Sequence, residues 1–386
     1  MSSPRGKIPY SRQSIDEDDI REVVAVLRSD YLTQGPKIRK FEAALASYCG
    51  ARYAVVFSSG TAALHGAYFA AGIGAGDEII TSPITFVATS NAALYLGARP
   101  VFADIDPATG NIDPELIEKA ITGKTKAIVP VDYAGNPVQL DIIRGLAERR
   151  GIKVIEDGCH ALGASYRGKK IGSISDMTAF SFHPVKPIAT GEGGAVLTND
   201  EKSYEKLLAF RTHGISQGGP AALEYPAPGG WYYEMQFLGF NYRLTDIQCA
   251  LGLSQLRKLD GFIKRRGEIA RSHEKAFTGN KWFDLPVVND DSKPSWHLYP
   301  IRFKDEFLDE KPVIFDRLRK AGLVVQVHYL PAYFHPYYRR LGYREGICPK
   351  AEEFYKRELS IPVYHGMDDA DVETVHKTVF NALREL

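Results

Sequence analysis

The sequence predicts an α/β protein with a central, mostly parallel seven-stranded sheet, helices on both faces of that sheet, and a smaller C-terminal α/β domain. Two observations lead to this prediction. The chain has 386 residues, of which 44% are apolar, enough for the cores of one large and one smaller domain. Short β-rich runs alternate with helical patterns between residues 50 and 200, and such alternation is typical of parallel sheets covered by helices.

The predicted sheet is built from short runs in which apolar and β-branched residues dominate. These candidate strands are Ala54–Ser58, Glu78–Ser82, Arg99–Ala103, Lys126–Val131, Lys153–Glu156, Met177–Phe182 and Ala195–Thr198. Helical patterns separate the first five, at Thr61–Ala71, Val87–Leu96, Pro114–Ile121 and Leu140–Arg150. The last two strands lie too close together for a helical crossover, so we expect at least one to be antiparallel or reached by an irregular loop.

The second half of the chain begins with a segment, residues 214–240, that is rich in glycine, proline and aromatic residues. This composition predicts a functional loop, which either closes over a substrate or packs on a partner subunit. A long helical pattern then begins at Thr245 and is expected to lead from a large domain, residues 1–255, into a small domain, residues 256–386. The small domain should contain strands His297–Phe303 and Leu323–His328 and helices Val313–Ala321 and Asp371–Leu383.

Charge and cysteine content argue against several classes of protein. Lys and Arg total 48 against 47 Asp and Glu, a formal net charge of +1, which disfavours binding to nucleic acid or to an anionic membrane surface. The four cysteines form no C-x-x-C pair, so a zinc finger and a disulfide scaffold are both disfavoured and no metal site is expected. The sequence contains no secretory signal and no apolar run that would span a membrane, so we expect a cytoplasmic protein.

Three clusters carry candidate chemistry. The first, Ser58–Ala63 with the sequence SSGTAA, follows an apolar strand and opens a helix. Small residues there allow backbone N–H groups and hydroxyls to approach a phosphate at the positive end of a helix dipole. Taken alone, this cluster is explained equally well by an ordinary helix cap at Ser59 or Thr61.

The second cluster, Val154–Ala161 with the sequence VIEDGCHA, places acidic residues where a hydrophobic strand ends. Loops at the carboxyl ends of strands are where α/β sheets hold ligands. A carboxylate such as Asp157 can pair with a heterocyclic nitrogen and keep it protonated. Taken alone, the cluster is better explained by a helix cap at Asp157 and a packed His160.

The third cluster places Lys186 in a proline-containing turn after a strand, followed by the glycine loop Gly191–Gly194. A Schiff-base lysine needs a partly desolvated pocket in which its amine is neutral often enough to attack. A solvated surface lysine is the alternative. It is disfavoured because Lys186 lies among apolar and glycine residues, with no charged residue closer along the chain than Glu192. A nicotinamide-binding enzyme is disfavoured as well, since no G-x-G-x-x-G motif joins the first strand to its helix.

The order of four motifs along almost the whole chain resembles the DegT/DnrJ/EryC1/StrS sugar aminotransferases, which are fold-type I enzymes dependent on pyridoxal phosphate (PLP). The motifs are SSGTAAL, EDGCHALG, SFHPVKPIATGEGG and GFNYRLTDIQCALGLSQL. Further segments resemble the UDP-sugar transaminases of pseudaminic acid biosynthesis within that family. They are IPYSRQSIDEDDI, VLRSDYLTQGPKIRKFE, PVDYAGNP and VQVHYLP.

The resemblance implies a catalytic role for three residues. Lys186 would form the Schiff base with PLP and then serve as general base and acid in the proton transfer. Asp157 would bind the pyridinium nitrogen and so maintain PLP as an electron sink. His160 would lie beside the ring, in contact with either the cofactor or the substrate.

The resemblance also implies which residues bind the ligands. Phe86 would stack on the PLP ring, although a core aromatic explains it equally well without the family. The phosphate would be held by Thr61, Ala62 and Ser181, and Asn241 would reach it, or the substrate, across a dimer interface. The nucleotide sugar would bind between the domains, at Tyr10, Asp30, Tyr31, Leu32, Thr33, Gly60, Ser181, Asn241, Gln326, Val327, His328 and Tyr329.

The family points to a homodimeric enzyme that transfers the amino group of L-glutamate to C4 of a UDP-linked 4-keto-6-deoxy-N-acetylamino sugar. Other nucleotide-sugar aminotransferases are alternatives, acting at C3, on dTDP sugars, or on 4-amino-arabinose or perosamine precursors. A PLP-binding regulator without turnover is a remote alternative, because Lys186, Asp157 and Ser181 form a complete set. The 214–240 loop is longer and more aromatic than the family pattern, which affects the sugar specificity more than the reaction type.

Overall fold

The computed structural model describes residues 6–217 and 223–384, so that Gly218-Gly219-Pro220 of the predicted loop lies outside the described residues. The strands, numbered in chain order, are β1 (Tyr53–Phe57), β2 (Glu78–Thr81), β3 (Arg99–Phe102), β4 (Thr125–Val129), β5 (Lys153–Asp157), β6 (Ser165–Tyr166), β7 (Lys169–Lys170), β8 (Met177–Ser181), β9 (Gly194–Thr198), β10 (Ile215–Ser216), β11 (Glu234–Met235), β12 (Phe283–Asp284), β13 (Ser292–Lys293), β14 (Tyr299–Phe303) and β15 (Glu358–Ile361).

The helices are also numbered in chain order. They are α1 (Glu17–Leu27), α2 (Pro36–Cys49), α3 (Gly60–Ala70), α4 (Ala88–Tyr95), α5 (Pro114–Ala120), α6 (Leu140–Arg150), α7 (Glu201–Phe210), α8 (Asp246–Phe277), α9 (Lys311–Lys320), α10 (Pro336–Arg340), α11 (Pro349–Arg357) and α12 (Asp369–Arg384), with 3₁₀ turns at Tyr133–Gly135, Asp305–Phe307 and Ala332–Phe334. None of the helices in the described ranges is both long and apolar enough to cross a bilayer.

The central sheet has seven strands in the order β1-β9-β8-β5-β4-β2-β3. The pairs from β8 to β3 are parallel, whereas β9 is antiparallel to both β1 and β8. The short connection from Ser181 to Gly194 contains no helix, so β9 returns alongside β8 in the opposite direction. The predicted seven-stranded, mostly parallel sheet with an antiparallel strand near its end is confirmed.

Helices cover both faces of this sheet because successive side chains of each strand point to opposite sides. In β1, Ala54 and Val56 pack in one core with α2, α6 and α8, while Val55 and Phe57 pack in a second core with α3, α4 and α7. The strands are therefore apolar on both faces, as expected for a sheet between two helical layers.

The C-terminal part of the chain forms a third core around the antiparallel sheet β12-β14-β15. Helices α9 and α12 and the second half of α8 pack against this sheet. Thr245 caps α8 and forms a capping box with Gln248, as the predicted helix start requires. The predicted domain boundary between residues 255 and 256 lies inside α8, a single helix of 32 residues, and stays a proposal.

The prediction of a strand at Leu323–His328 is wrong. Leu323 and Gln326 form only single bridges, to Ile8 and Ser360 respectively. Beyond Gln326 the pairing with β15 ends, because the backbone groups of His328 form hydrogen bonds with side chains instead. The N–H of His328 donates to Glu358, and its carbonyl accepts from Tyr133. The segment is therefore extended but irregular.

Candidate active site

Asp157 ends β5 at the carboxyl edge of the parallel strands, where its side chain is almost fully buried. Its Oδ2 accepts a hydrogen bond of 2.6 Å from Thr89 Oγ1, and its Oδ1 accepts one of 3.1 Å from the backbone N–H of Cys159. Thr89 Oγ1 is in turn 2.7 Å from Thr85 Oγ1. The carboxylate is thus fixed in orientation by hydrogen bonds on both oxygens.

Lys186 lies on the turn after β8, which is closed by a 2.8 Å hydrogen bond from its own N–H to the carbonyl of His183. Burial lowers the pKa of the Lys186 amine from its ordinary value, although the neighbouring Cys159 and Asp157 favour the charged form. Such a lowered pKa provides the neutral amine that a nucleophilic lysine needs. Lys186 and Asp157, which are 29 positions apart in the chain, are therefore brought close enough to interact electrostatically, and the site they form is called the pocket below.

The N-terminus of α3 forms the next wall of this pocket. Ser59 caps the helix by accepting a hydrogen bond of 3.1 Å from the N–H of Ala62. Ser181, at the end of β8, packs against Gly60 so closely that a Cβ added at Gly60 would lie 2.8 Å from Ser181 Cβ and 3.4 Å from Cys159 Sγ. Gly60 thus allows Ser181 to lie directly against the N-terminus of α3, where Thr61, Ala62 and Ser181 are predicted to hold a phosphate.

These features provide a test of whether PLP fits. The pocket combines a lysine with a lowered pKa, a buried carboxylate for a ring nitrogen, and a helix N-terminus against which the Ser181 hydroxyl packs. Phe86 is 60% exposed, which is unusual for a large aromatic side chain. Its ring is therefore free to stack on the ring of a ligand. The residues present therefore fit PLP.

His160 lies beneath the pocket and is buried. Its Nε2 is 3.1 Å from the hydroxyl of Tyr329, and its ring centroid is 4.3 Å from that of His297. Burial, together with the nearby Lys186, lowers the pKa of His160 well below its ordinary value, so its ring is neutral. It therefore links the end of β5 to Tyr329, which is 169 positions further along the chain.

The predicted substrate residues of the small domain and of the N-terminus lie together at the pocket. The rings of Tyr10 and His328 are 5.3 Å apart, and Phe86 lies 6.4 Å from the ring of Tyr329. Ser11 donates a 2.9 Å hydrogen bond to the carbonyl of Val185, the neighbour of Lys186. Gln326 is exposed and Val327 is half-buried on the same segment.

Two groups of predicted residues are not brought to Lys186 within one chain. Asp30, Tyr31, Leu32 and Thr33 are exposed, and Leu32 accepts a backbone hydrogen bond from Asp246 at the start of α8. Asn241 is exposed and forms a bridge with Thr212. Residues that follow or contact these groups, Gln34, Gly35 and Thr212, line a cavity of about 190 Å³ together with Arg39, Arg211 and Arg243.

Sequence reasoning missed three residues that the fold brings to the site: Thr89, His297 and Glu358. Thr89 is an ordinary helix residue in the sequence, and its role comes only from the hydrogen bond to Asp157. His297 and Glu358 lie far along the chain from the motifs. The only available signal was that both are polar residues next to apolar runs of the small domain.

Comparisons with known proteins agree with this geometry. A model of the DegT/DnrJ/EryC1/StrS aminotransferase family matches residues 13–380. The UDP-4-amino-4,6-dideoxy-N-acetyl-β-L-altrosamine transaminase of Campylobacter jejuni is 42% identical over 382 residues, which cover 98% of each chain. The spore coat polysaccharide biosynthesis protein SpsC of Bacillus subtilis is 43% identical over 375 residues, which cover 96% of each chain.

Solved structures give the same result. Helicobacter pylori PseC, an aminotransferase involved in the biosynthesis of pseudoaminic acid, matches with a TM-score of 0.91 and 37% identity, covering 98% of this chain and 100% of that one. A putative sugar aminotransferase from Streptococcus pneumoniae, in its PLP form, matches with a TM-score of 0.91 and 31% identity, covering 98% and 99% of the two chains. The chain therefore belongs to the DegT/DnrJ/EryC1/StrS aminotransferase family, and PLP is its cofactor.

Proposed function

We propose that this enzyme transfers the amino group of L-glutamate to C4 of a UDP-linked 4-keto-6-deoxy-N-acetylamino sugar, a step of pseudaminic acid biosynthesis. The observation that carries the reaction type is the joint placement of Lys186 and Asp157 in one pocket with the N-terminus of α3. The substrate class is supported by the 42% identity with the Campylobacter jejuni transaminase, which extends over 98% of both chains.

Each residue of the pocket has a defined task in this proposal. PLP, when bound, supplies the electron sink that makes the proton next to the amino group acidic. Lys186 Nζ moves that proton, taking it from the carbon that bears the amino group of glutamate and later delivering a proton to C4 of the sugar. Asp157, oriented by Thr89, keeps the ring nitrogen protonated.

The remote parts of the substrate would supply binding energy for positioning. The phosphate of the cofactor would bind at Thr61, Ala62 and Ser181, and the sugar nucleotide would bind between the domains, near Tyr10 and the 326–329 segment. A pocket that is formed partly by the small domain can orient the C4 ketone toward Lys186 while it excludes water.

We also propose a homodimer with shared active sites. Asp30–Thr33 and Asn241 are exposed and contact the start of α8 or Thr212 instead of Lys186. They adjoin a cavity lined by Arg39, Arg211 and Arg243; Arg211 is paired with Glu42, so Arg39 and Arg243 provide the positive charge suited to an anionic ligand. A second subunit placed against this face would complete its own pocket with these residues.

A second candidate is amination of a different nucleotide sugar. It is favoured by SpsC, which is 43% identical and is described as a spore coat polysaccharide biosynthesis protein. A cytoplasmic location stays a prediction, which the four free cysteines support because thiols persist in a reducing compartment.

The test is product analysis. The purified enzyme is supplied with L-[¹⁵N]glutamate and either a UDP-linked or a dTDP-linked 4-keto sugar, and the product is analysed by NMR. We expect ¹⁵N on C4 of the UDP sugar and much slower turnover of the dTDP sugar. Equal turnover of the two nucleotides, or ¹⁵N on C3, would contradict the proposed substrate.

A further inference from the structure

Glu358 is a fully buried carboxylate at the start of β15, outside the residues assigned above to the cofactor and substrate. Its Oε2 accepts a 2.7 Å hydrogen bond from the backbone N–H of His328, and its Oε1 accepts a 2.5 Å hydrogen bond from Ser360 Oγ. Ser360 Oγ is also 2.9 Å from Nδ1 of His328. Glu358, Ser360 and His328 therefore form a closed hydrogen-bonded relay.

The direction of this relay determines which nitrogen of His328 carries the proton. Burial lowers the pKa of His328 to about 3, so its ring is neutral and holds a single proton. When Glu358 is a carboxylate, it can only accept, so Ser360 must donate to it. Ser360 Oγ then accepts from His328 Nδ1–H, and Nε2 is left as an acceptor.

Two features favour the carboxylate form of Glu358. Both of its hydrogen bonds are short, as is typical when the acceptor is charged. Burial, the largest effect, raises the pKa of Glu358 to about 8, and the Lys311 ammonium of α9 acts against it, so the carboxylate form predominates above that pH. Tyr133 and Tyr329 are the other titratable side chains that interact with Glu358. Arg302 is the residue opposite Glu358 in the register of β14 and β15.

We propose that Glu358 is a positioning residue that acts through Ser360 to set the tautomer of His328, so that His328 Nε2 accepts a hydrogen bond from a hydroxyl or amide N–H of the sugar. This inference rests on the proposed function, in which His328 contacts the nucleotide sugar. Its location supports the role, because the His328 ring lies beside Tyr10 and Tyr329 and close enough to Lys186 for the two to interact electrostatically.

The variant Glu358→Gln reverses the relay. A glutamine amide that accepts from the His328 N–H with its oxygen must donate its NH₂ to Ser360, which then donates to His328 Nδ1. The proton moves to Nε2, which becomes a donor and is mismatched with the donor on the sugar. We expect kcat/KM for the nucleotide sugar to fall about tenfold, mostly through KM, since one hydrogen bond to a neutral group is lost and a mismatch is created. The rate of the glutamate half-reaction, measured by cofactor absorbance, is the internal reference, because the nucleotide sugar takes no part in it.

The tautomer itself is read by ¹⁵N NMR of histidine-labelled enzyme, with the His328 signals assigned by their loss in His328→Gln. In spectra recorded above pH 8, where Glu358 is a carboxylate, we expect the wild-type ring to be protonated on Nδ1 and the Glu358→Gln ring on Nε2. The wild-type spectrum tests the proposal even if a variant does not fold. A wild-type proton on Nε2, or an unchanged tautomer in Glu358→Gln, would overturn it.

Tyr133→Phe is the matched control, because it removes the hydrogen bond to the His328 carbonyl and the Tyr133 hydroxyl beside Glu358 but leaves the three groups of the relay in place. We expect it to change KM less than Glu358→Gln and to leave the tautomer unchanged. An equal rise in KM would mean that Glu358 only holds the backbone, which would also overturn the proposal.

The pH dependence gives a further readout. As the pH falls through the raised pKa of Glu358, the carboxylate is lost and the relay reverses, so the wild-type KM for the sugar should rise. Glu358→Gln should lack this rise, and a retained rise would contradict the assignment. Absence of any glutamate half-reaction in the wild-type enzyme would instead refute the proposed function, and the NMR result does not depend on that outcome.

Discussion

The cofactor end and the substrate end of the active site are held in place by different kinds of structure. Asp157 and Ser181 end strands β5 and β8, so their positions are set by the hydrogen-bonded ladder of the central sheet. His328 follows a single bridge, and its backbone is held by the side chains of Glu358 and Tyr133. In the proposed function, the chemistry common to many substrates would thus depend on rigid sheet edges, whereas recognition of the sugar would depend on irregular segments.

This difference predicts that mutations at the two ends of the site change different kinetic constants. Changes at the sheet edge should act on every substrate and on the chemical step. Changes on the irregular segments should act mostly on KM for one substrate, as expected above for Glu358→Gln. The following predictions test the cofactor end, from the largest expected effect to the smallest.

Asp157→Ala should retain PLP but slow proton abstraction by about 10²- to 10³-fold, because the ring nitrogen loses the charge that keeps it protonated. The measurement is a single-turnover assay of the glutamate half-reaction at matched cofactor content. Asp290→Ala, a change at an exposed position, is the control. A rate within twofold of wild type would contradict the role assigned to Asp157.

Gly60→Ala should weaken PLP binding about 10- to 100-fold, since the added methyl group would lie 2.8 Å from Ser181 Cβ and overpacking of this kind costs about 1–3 kcal/mol. Equilibrium titration of the apoenzyme with PLP measures the dissociation constant. Gly74→Ala is the matched control, because a Cβ at that glycine would meet nothing within 4 Å. Unchanged affinity in Gly60→Ala would show that the helix N-terminus does not border the cofactor.

Thr89→Val should lower kcat about tenfold, because it removes the 2.6 Å hydrogen bond that orients Asp157 while nearly conserving shape. Thr85→Val is the matched control, since Thr85 Oγ1 contacts Thr89 Oγ1, whereas the hydrogen bond to Asp157 comes from Thr89. Steady-state assays of both variants should therefore differ. Equal losses would mean that the two threonines act only by packing.

The cofactor end could be predicted from the sequence because each of its residues follows a recognisable strand. Lys186, Asp157 and the Ser58–Ala63 cluster all lie at the edge where parallel strands end, so predicting the strands also predicted that these residues meet. Thr89 escaped prediction because its contact with Asp157 spans two elements and follows no local pattern.

The substrate end was harder to predict for a physical reason. The run Leu323–His328 has the composition of a strand, but the hydrogen bonds of His328 go to side chains that are distant in the sequence, so the prediction of a strand failed. Glu358 and Tyr133 are 30 and 195 positions away from His328, respectively. For Asp30–Thr33 and Asn241 the expected partner is a second subunit, which one chain cannot reveal.

The most direct test of the account is borohydride reduction of the purified enzyme in the presence of PLP, followed by mass spectrometry of its peptides. We predict that the pyridoxyl phosphate mass is added to the peptide that contains Lys186, and that Lys186→Ala loses both this label and transamination. Labelling of a different lysine, or transamination by Lys186→Ala at the wild-type rate, would contradict the central claim.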